Sequence, residues 1–271
     1  MKNSNKTILA VALFALAATS RAQCDSIARV TTVTHQVGVG PTKILDTYLS
    51  NEHFSGIGVT YLSTIERQKP QSRWATLMEH QANISMANDR EDMAKEMEGS
   101  YNFYIGRFYS WLLLGGKLTL QAGGMADANV GFIYNMVGGN NPAQARMALN
   151  IMPAGAAQYR FTALKRGMAL RYELQMPLVG LMFSPNFGQS YYEIFMRGDY
   201  DHNIVPTTFA SAPNFRQQLS LDINVSRRYT MRIGYLGDYQ QAKVNNLKTH
   251  VYSHHVMLGL VKKFQLISYR P

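Results

Sequence analysis

The chain has 271 residues, a formal net charge of +10 at pH 7 and one cysteine, Cys24. A single cysteine excludes an intramolecular disulfide, and the Lys and Arg residues are scattered, with none of the longer basic runs that bind nucleic acid. The histidines are scattered as well, and the adjacent His254 and His255 point to opposite faces of a strand. We therefore expect no nucleic-acid partner, no metal site and no cofactor.

Residues 1–22 have the order of a secretory signal peptide. Two lysines precede the apolar run Ile8 to Ala18, which is shorter than the about 20 residues that span a bilayer, and small residues in Ser20-Arg21-Ala22 precede Gln23. We predict cleavage before Gln23. Cleavage removes 22 residues and three basic side chains, which leaves 249 residues with a charge of +7. Lipidation of Cys24 stays open as a minor alternative, because Gln23 stands where a lipoprotein signal has a small residue.

The rest of the chain shows the alternation of β-strands. In 215–225, Leu219 and Leu221 share one face while Ser220 and Asp222 share the other, which is the period of a strand with one apolar and one polar side. We predict twelve strands, at 28–39, 54–66, 72–87, 99–113, 117–133, 143–161, 166–180, 189–197, 202–210, 214–225, 228–240 and 250–264. The ninth is the weakest, because Pro206 cannot donate to a ladder. It is kept because bacterial single-chain barrels have an even number of strands.

The length of these segments favours a membrane barrel over a soluble sandwich. They run longer than the about 5–6 residues of strands in soluble sheets, and many of the 16 Tyr and 12 Phe lie near segment ends, where girdle aromatics belong. We therefore predict one all-β domain at 23–271, an antiparallel transmembrane β-barrel of about twelve strands. A sandwich would instead bury Leu221, Ile233 and Leu258 inside the protein.

The connections fall into two sets. Short turns are predicted at Gly115-Gly116, Leu164-Lys165 and Ser226-Arg227, which fits periplasmic hairpins. Longer polar connections at 88–98, 134–142 and 241–249 fit external loops. The predicted location is the outer membrane. Its lipids and the machinery that inserts barrels are the predicted partners, and any small solute is unidentified.

Several motifs resemble a family of exported Bacteroidetes proteins known only as a domain of unknown function. They are Lys43-Ile44-Leu45-Asp46-Thr47-Tyr48-Leu49-Ser50, Phe54-Ser55-Gly56, Gly139-Asn140-Asn141-Pro142, Pro177-Leu178-Val179-Gly180, Tyr191-Tyr192-Glu193, Asp222, Arg232-Ile233-Gly234-Tyr235 and Gly259-Leu260-Val261-Lys262-Lys263-Phe264. The resemblance covers nearly the whole chain after the signal peptide. It implies an outer-membrane-type barrel and supplies no activity and no catalytic residues.

Charged side chains on the polar strand faces are the candidate functional residues. Those predicted to face the lumen are Arg171, Glu173, Glu193, Arg197, Arg216, Asp222, Arg228, Arg232 and Asp238. Mixed signs on neighbouring strands predict ion pairs in a narrow interior. Such a network either only stabilises the barrel or forms a constriction that selects small polar solutes.

An enzyme is the alternative class. Ser253 and His255 share a strand face, and a serine hydrolase needs His within hydrogen-bond range of Ser. Two positions about 7 Å apart along a strand are wide for that contact, and no orienting group is spaced nearby. We therefore favour a barrel without catalytic activity, with a narrow or occluded pore or a purely structural role. A lipid-active hydrolase and a soluble periplasmic β-sandwich binding protein are the alternatives.

Overall fold

The computed structural model describes residues 29–137, 141–226 and 229–266. The predicted signal peptide, its cleavage site, Cys24 and Arg228 lie outside these residues. Within these three ranges, no helix is both long enough and apolar enough to cross a bilayer.

The described part of the chain contains twelve strands, one short α-helix, α1 (Tyr191–Phe195), and a 3₁₀ turn at Leu114–Gly116. The strands are β1 (Arg29–Asp46), β2 (Ser50–Gln68), β3 (Trp74–Asn88), β4 (Lys95–Leu113), β5 (Leu118–Asn135), β6 (Ala143–Ala163), β7 (Arg166–Gln175), β8 (Val179–Phe183), β9 (Ile204–Thr208), β10 (Phe215–Asn224), β11 (Thr230–Val244) and β12 (Leu247–Leu266). All the pairings between them are antiparallel.

The sheet closes on itself. Ten strands form a ring in the order β1, β2, β3, β4, β5, β6, β7, β10, β11 and β12, and β12 pairs again with β1. That closing seam runs from Arg29 opposite Leu266 to Asp46 opposite Thr249. The predicted all-β antiparallel barrel is confirmed.

The ring has ten strands because two of the twelve, β8 and β9, lie outside it. The long β6 pairs with β7 along Ala154–Ala163 and with β8 along Met147–Ile151. Pro177, which has no N–H, separates β7 from β8, and the Leu178 N–H then donates to the Ile151 carbonyl at 3.1 Å. β9 pairs with β8, beyond the β7–β10 pairing. The number of ring strands is even, as the parity argument requires, but it is ten and not twelve, and β9, which that argument placed in the ring, lies outside it.

The predicted strand at 189–197 is wrong, because this segment forms α1. Ser190 caps the helix: its Oγ accepts from the Glu193 N–H at 3.2 Å, and the Glu193 carboxylate accepts from the Ser190 N–H at 2.8 Å. This reciprocal pair is a capping box, which stabilises a helix start.

The two faces of the ring differ in chemistry. Outward side chains such as Ile57 and Val256 are each 66% exposed, whereas inward Thr60 and Gln81 are fully buried. Ile233 and Leu258, which a sandwich would bury, are 40% and 58% exposed. An apolar exterior around a polar interior is the arrangement of a membrane barrel.

The two ends of the ring also differ. One end carries the connections 69–73, 114–117, 164–165 and 225–229, and the other carries 47–49, 89–94, 136–142, 184–203 and 245–246. The loop predicted at 241–249 is the two-residue turn Asn245-Asn246, with φ of 50° and 60°, as the type I′ turn of a hairpin requires. Short periplasmic turns and longer external loops are typical of outer-membrane barrels, so we call the first end periplasmic and the second external.

Candidate functional site

Two ion pairs lie inside the periplasmic half of the barrel. Arg232 forms two hydrogen bonds with Asp222, from Nε at 2.6 Å and from Nη2 at 2.9 Å, between adjacent strands β11 and β10. Arg171 donates to Glu173 at 2.8 Å, and both residues belong to β7. The guanidinium fork of an Arg satisfies a carboxylate with two parallel bonds, so the Arg232–Asp222 pair locks β10 and β11 from the inside.

A third pair crosses the lumen. Arg216 on β10 donates from Nη1 to Glu79 on β3 at 2.7 Å, and the two strands stand five positions apart in a ring of ten. Gln175 donates to the same carboxylate at 3.1 Å, and the guanidinium lies 5.1 Å from the ring centre of Tyr104. We call this group the crossbar. It joins opposite walls across the barrel interior.

Further polar contacts cross the interior on the external side of the crossbar. Asp238 accepts from Gln81 at 2.8 Å and from Gln240 at 3.1 Å. Arg146 donates to Gln240 at 2.7 Å and to Glu98 at 3.4 Å. These contacts join β3, β4, β6 and β11, so the middle of the barrel is bridged in several directions.

Apolar side chains fill the space between these bridges. Beside the crossbar lies a buried cluster of Leu77, Tyr104, Phe108, Met125, Met152 and Ala154. A second cluster at the external end contains Ile44, Phe54, Ala87, Ile133 and Val251. These clusters therefore occupy part of the interior between the bridges.

The periplasmic half remains open. A cavity of about 520 Å³ enters from the periplasmic turns and is lined by both ion pairs of that half. We call it the vestibule. Its wall also contains Glu66, which accepts from Gln121 at 3.0 Å, and its rim carries Arg160 and Lys263. The vestibule therefore offers hydrogen-bond donors and acceptors of both charges.

Two of the predicted lumen residues do not contribute to this interior. Glu193 lies in α1 and Arg197 follows it, with its guanidinium 5.6 Å from the ring centre of Tyr192. Their assignment to the lumen depended on the strand at 189–197 and fails with it. Arg228 lies outside the described residues. The structure brings Arg171, Glu173, Arg216, Asp222, Arg232 and Asp238 into the interior.

Sequence reasoning missed the partners that cross the barrel. Glu79 is the one Asp, Glu, Lys or Arg of β3, whereas Glu98 and Arg146 lie on strands with further charges, and Glu79 is 137 residues away from Arg216. The register of β10 and β11 sets Arg232 opposite Asp222 and Arg216 opposite Asp238, but the ion pair of Arg216 is with Glu79. One signal was available: a lone charge at an inward position of a long strand needs a partner across the interior.

The external end is covered by the connection 184–203. The Tyr48 hydroxyl donates to the Gln189 carbonyl at 3.0 Å, and the Tyr191 hydroxyl donates to Gln144 at 2.9 Å. Burial raises the pKa of Tyr191. The two hydrogen bonds that Glu193 accepts from Ser190 lower the pKa of the Glu193 carboxyl.

The geometry does not assemble the catalytic pair of the hydrolase alternative. The Ser253 Oγ forms its hydrogen bond with the Thr42 Oγ1, at 3.3 Å. His255 is 1% exposed, and neither ring nitrogen has a hydrogen-bond partner among the described residues. In the part of the chain that the structure describes, no group of three His, Cys, Asp or Glu residues is placed to hold a metal ion.

Comparison with known proteins gives a family match and distant likenesses. Residues 7–271 match the family described as a protein of unknown function, DUF3316. No curated protein matches. The translocator domain of the autotransporter NalP from Neisseria meningitidis is 11% identical, with a TM-score of 0.38, 97% of this chain and 98% of that chain being covered.

Two Escherichia coli structures are similar at the same distant level. The outer membrane protease OmpT is 8% identical, with a TM-score of 0.47 and coverage of 91% of this chain and 100% of that one. The transport unit of the autotransporter AIDA-I is 5% identical, with a TM-score of 0.46 and 93% of each chain covered. At these values no activity carries over to this chain.

Proposed function

The chain belongs to the DUF3316 family of proteins of unknown function, so its role is inferred from its geometry. We propose that it is an occluded outer-membrane barrel whose vestibule receives a small polar solute from the periplasm. The observation that carries this proposal is the crossbar, which joins opposite walls of the ring on the external side of an open vestibule.

Residence in a membrane is supported by the outer surface. Val37, Ile57, Ile151 and Val256 are each more than half exposed, on strands spread around the ring. Contiguous apolar patches of that extent are rare on soluble monomers. Aromatic residues such as Trp111 lie near the strand ends, where a bilayer has its interfaces. These features support an outer-membrane location, to be tested by fractionation: recovery in the soluble periplasm would contradict it.

The occluded lumen is supported by ring size and side-chain inventory. Eight strands leave room only for side chains, and sixteen or more leave an aqueous channel. In this ring of ten, long side chains decide the outcome, and the crossbar and its neighbouring apolar cluster occupy the axis. A charge left unpaired there would be costly unless water reached it. The pairing of Arg216 with Glu79 supports a narrow interior at that level, where the buried Nε and Nη2 of Arg216 have no hydrogen-bond partner among the described residues.

Binding in the vestibule is supported by its size and chemistry. Its volume of about 520 Å³ falls within the roughly 300–1,000 Å³ of small-molecule sites. Arg171 and Arg232 could turn toward an anionic group, and Glu173 and Asp222 toward a cationic one, by exchanging part of their present pairing for solute contacts. A small polar solute with both kinds of group fits this wall better than an apolar one.

Planar-bilayer recordings test the occluded lumen. We expect the native protein to give no stable conductance, and Arg216→Ala combined with Phe108→Ala to give discrete steps. The matched control Arg197→Ala removes an Arg outside the ring and should stay silent. Large, stable conductance in the native protein would show an open porin and reject the proposal.

A further inference from the structure

We propose that the outer wall of β2, β3 and β4 binds the phosphate of a membrane glycerolipid between Arg67 and Arg107. This inference rests on the proposed residence in the outer membrane and adds a ligand site that lies outside the lumen. The ligand class is a glycerophospholipid of the periplasmic leaflet, because the site lies at the periplasmic end of the wall.

The two arginines flank one residue. Thr76 on β3 stands opposite Arg67 on β2 and opposite Arg107 on β4. Strands lie about 4.8 Å apart, so the two arginine Cα atoms are separated by roughly 10 Å on the same outward face. Both side chains and Thr76 are exposed. Two guanidinium groups can therefore meet above the Thr76 hydroxyl, on a group about the size of a phosphate.

No acidic side chain competes for these arginines. The outward positions of β2, β3 and β4 contain no Asp or Glu. Across the described ranges, no ion pair involves Arg67, Arg73 or Arg107. Arginine forms bidentate hydrogen bonds with phosphate. In a membrane, the phosphate of a lipid headgroup supplies the negative charge that pairs with these arginines.

An aromatic cluster fixes the depth of the site. The Arg107 guanidinium lies 5.2 Å from the ring centre of Trp74, and Arg73 donates to the Tyr109 hydroxyl at 3.4 Å. Tyr109 packs between Trp74 and Trp111, with ring centres 5.2 Å and 5.0 Å apart. Trp and Tyr concentrate at the level of lipid headgroups, so these arginines are at the depth where phosphates lie.

The neighbouring wall leaves room for an acyl chain. Gly124 on β5 stands opposite Arg107, and the outward residues Ala122 and Ala126 flank it along the strand. The span from Ala122 to Ala128 is about 20 Å long. On a strand tilted by about 40° from the barrel axis, it extends about 15 Å along the membrane normal. That is half of the roughly 30 Å hydrocarbon core. Ile105 and Ile151 border this shallow floor, opposite Ala126 on the two neighbouring strands.

The experiment measures lipid binding to the full-length barrel in mild detergent by native mass spectrometry. Delipidated protein is offered phosphatidylglycerol, phosphatidylethanolamine or diacylglycerol with the same acyl chains, with and without inorganic phosphate as competitor. We expect both phospholipids to bind and diacylglycerol to fail. Equal binding of diacylglycerol would overturn the phosphate site. Full competition by inorganic phosphate would show an anion site without lipid character and overturn the lipid assignment.

Variants locate the site. Arg67→Gln with Arg107→Gln should weaken phospholipid binding by at least about tenfold, since each charge-assisted hydrogen bond contributes substantially. The matched control, Lys165→Gln with Arg166→Gln, removes two positive charges at the same end of the barrel and should bind as the native protein does. Native-like binding by the arginine variant would overturn the proposal.

A third variant tests the acyl path. A Cβ added at Gly124 would meet only the Met152 carbonyl, at 4.0 Å, so Gly124→Leu fills the floor without disturbing the barrel. We expect weaker phospholipid binding, and unchanged binding would overturn the assigned path. Heat-modifiable migration in gels reports folding for every variant. A soluble protein in cell fractions would reject the proposed location, whatever the result of the lipid assay.

Discussion

At the scale of single residues, the barrel interior depends on charges that lie far apart in sequence. The side chains of Glu79 and Arg216 are 2% and 7% exposed, and their contact spans the ring. Burying two charges is costly, and their mutual attraction compensates only while both are present. Substituting either residue therefore leaves the charge of the other buried without its partner.

Glu79→Ala should lower the free energy of unfolding by about 3–5 kcal/mol, because it leaves the Arg216 guanidinium buried and unpaired. Urea unfolding in detergent, followed by tryptophan fluorescence, measures the change. Glu91→Ala, at an exposed position of the 89–94 connection, is the control and should be within about 0.5 kcal/mol of the native protein. A loss below 1 kcal/mol for Glu79→Ala would mean that water reaches the crossbar.

The seam between β1 and β12 contains a second sensitive residue. A Cβ on Gly40 would lie 1.9 Å from the His254 carbonyl oxygen, a backbone atom that cannot rotate away. Gly40→Ala should therefore cost about 1–3 kcal/mol through overpacking. Gly155→Ala is the matched control, because its Cβ would meet the Gln121 carbonyl at an ordinary 3.5 Å. Equal stability of the two variants in the same urea assay would show that the seam can widen.

At the scale of elements, alternation predicted the regular strands well. The segment 214–225 was predicted and Phe215–Asn224 is observed, and 250–264 corresponds to Leu247–Leu266. Alternation works there because one face meets the apolar exterior and the other the polar interior. It failed at 189–197, where Ser190 caps a helix and none of the described strands pairs with the segment. The spacing of Ser190 and Glu193 was the signal for a helix start.

The interior pairing could be predicted only in part. Arg232 and Asp222 face each other on strands joined by a short connection, so local register suffices. The contacts of Arg216 and Arg146 depend on how many strands close the ring. The sequence does not give that number. The alternation of apolar and polar residues does not show that, after Pro177, β8 replaces β7 as the strand paired with β6.

The capping box of α1 gives the external connection a pH dependence. Hydrogen bonds from Ser190 lower the pKa of Glu193, so this stabilisation is complete above the ordinary Glu pKa and is lost as the pH falls through the lowered one. Amide hydrogen exchange in 190–195 should therefore lose protection in acid. Glu193→Gln should abolish that pH dependence, whereas Glu52→Gln should leave it intact. Protection independent of pH in the native protein would contradict the role of the carboxylate.

At the scale of the whole molecule, closure of the ring makes a direct prediction. Val37 and Leu258 stand opposite each other across the seam, and both are exposed. Directly opposed residues in an antiparallel pair have Cα atoms about 4.5–5.5 Å apart, within disulfide range. In a Cys24→Ser background, Val37→Cys with Leu258→Cys should therefore cross-link on mild oxidation.

The register of the seam provides the control for that experiment. Val39 pairs with Val256, so Val39→Cys with Leu258→Cys joins diagonal positions, which lie about 7–8 Å apart. This variant should form the disulfide slowly or not at all. Equally fast cross-linking of both variants would show a seam that slides, and cross-linking of neither would show an open sheet.

The seam also determines when folding can finish. β1 and β12 are separated by some two hundred residues. Free strand edges remain until all ten strand pairings of the ring have formed. Contacts so distant in sequence must overcome a large loop-closure entropy before they stabilise anything, and such topologies fold slowly. Until β12 arrives, β1 and β11 each present an unpaired edge that invites aggregation. A chain in which all strands but β12 have paired therefore still has two edges open to aggregation.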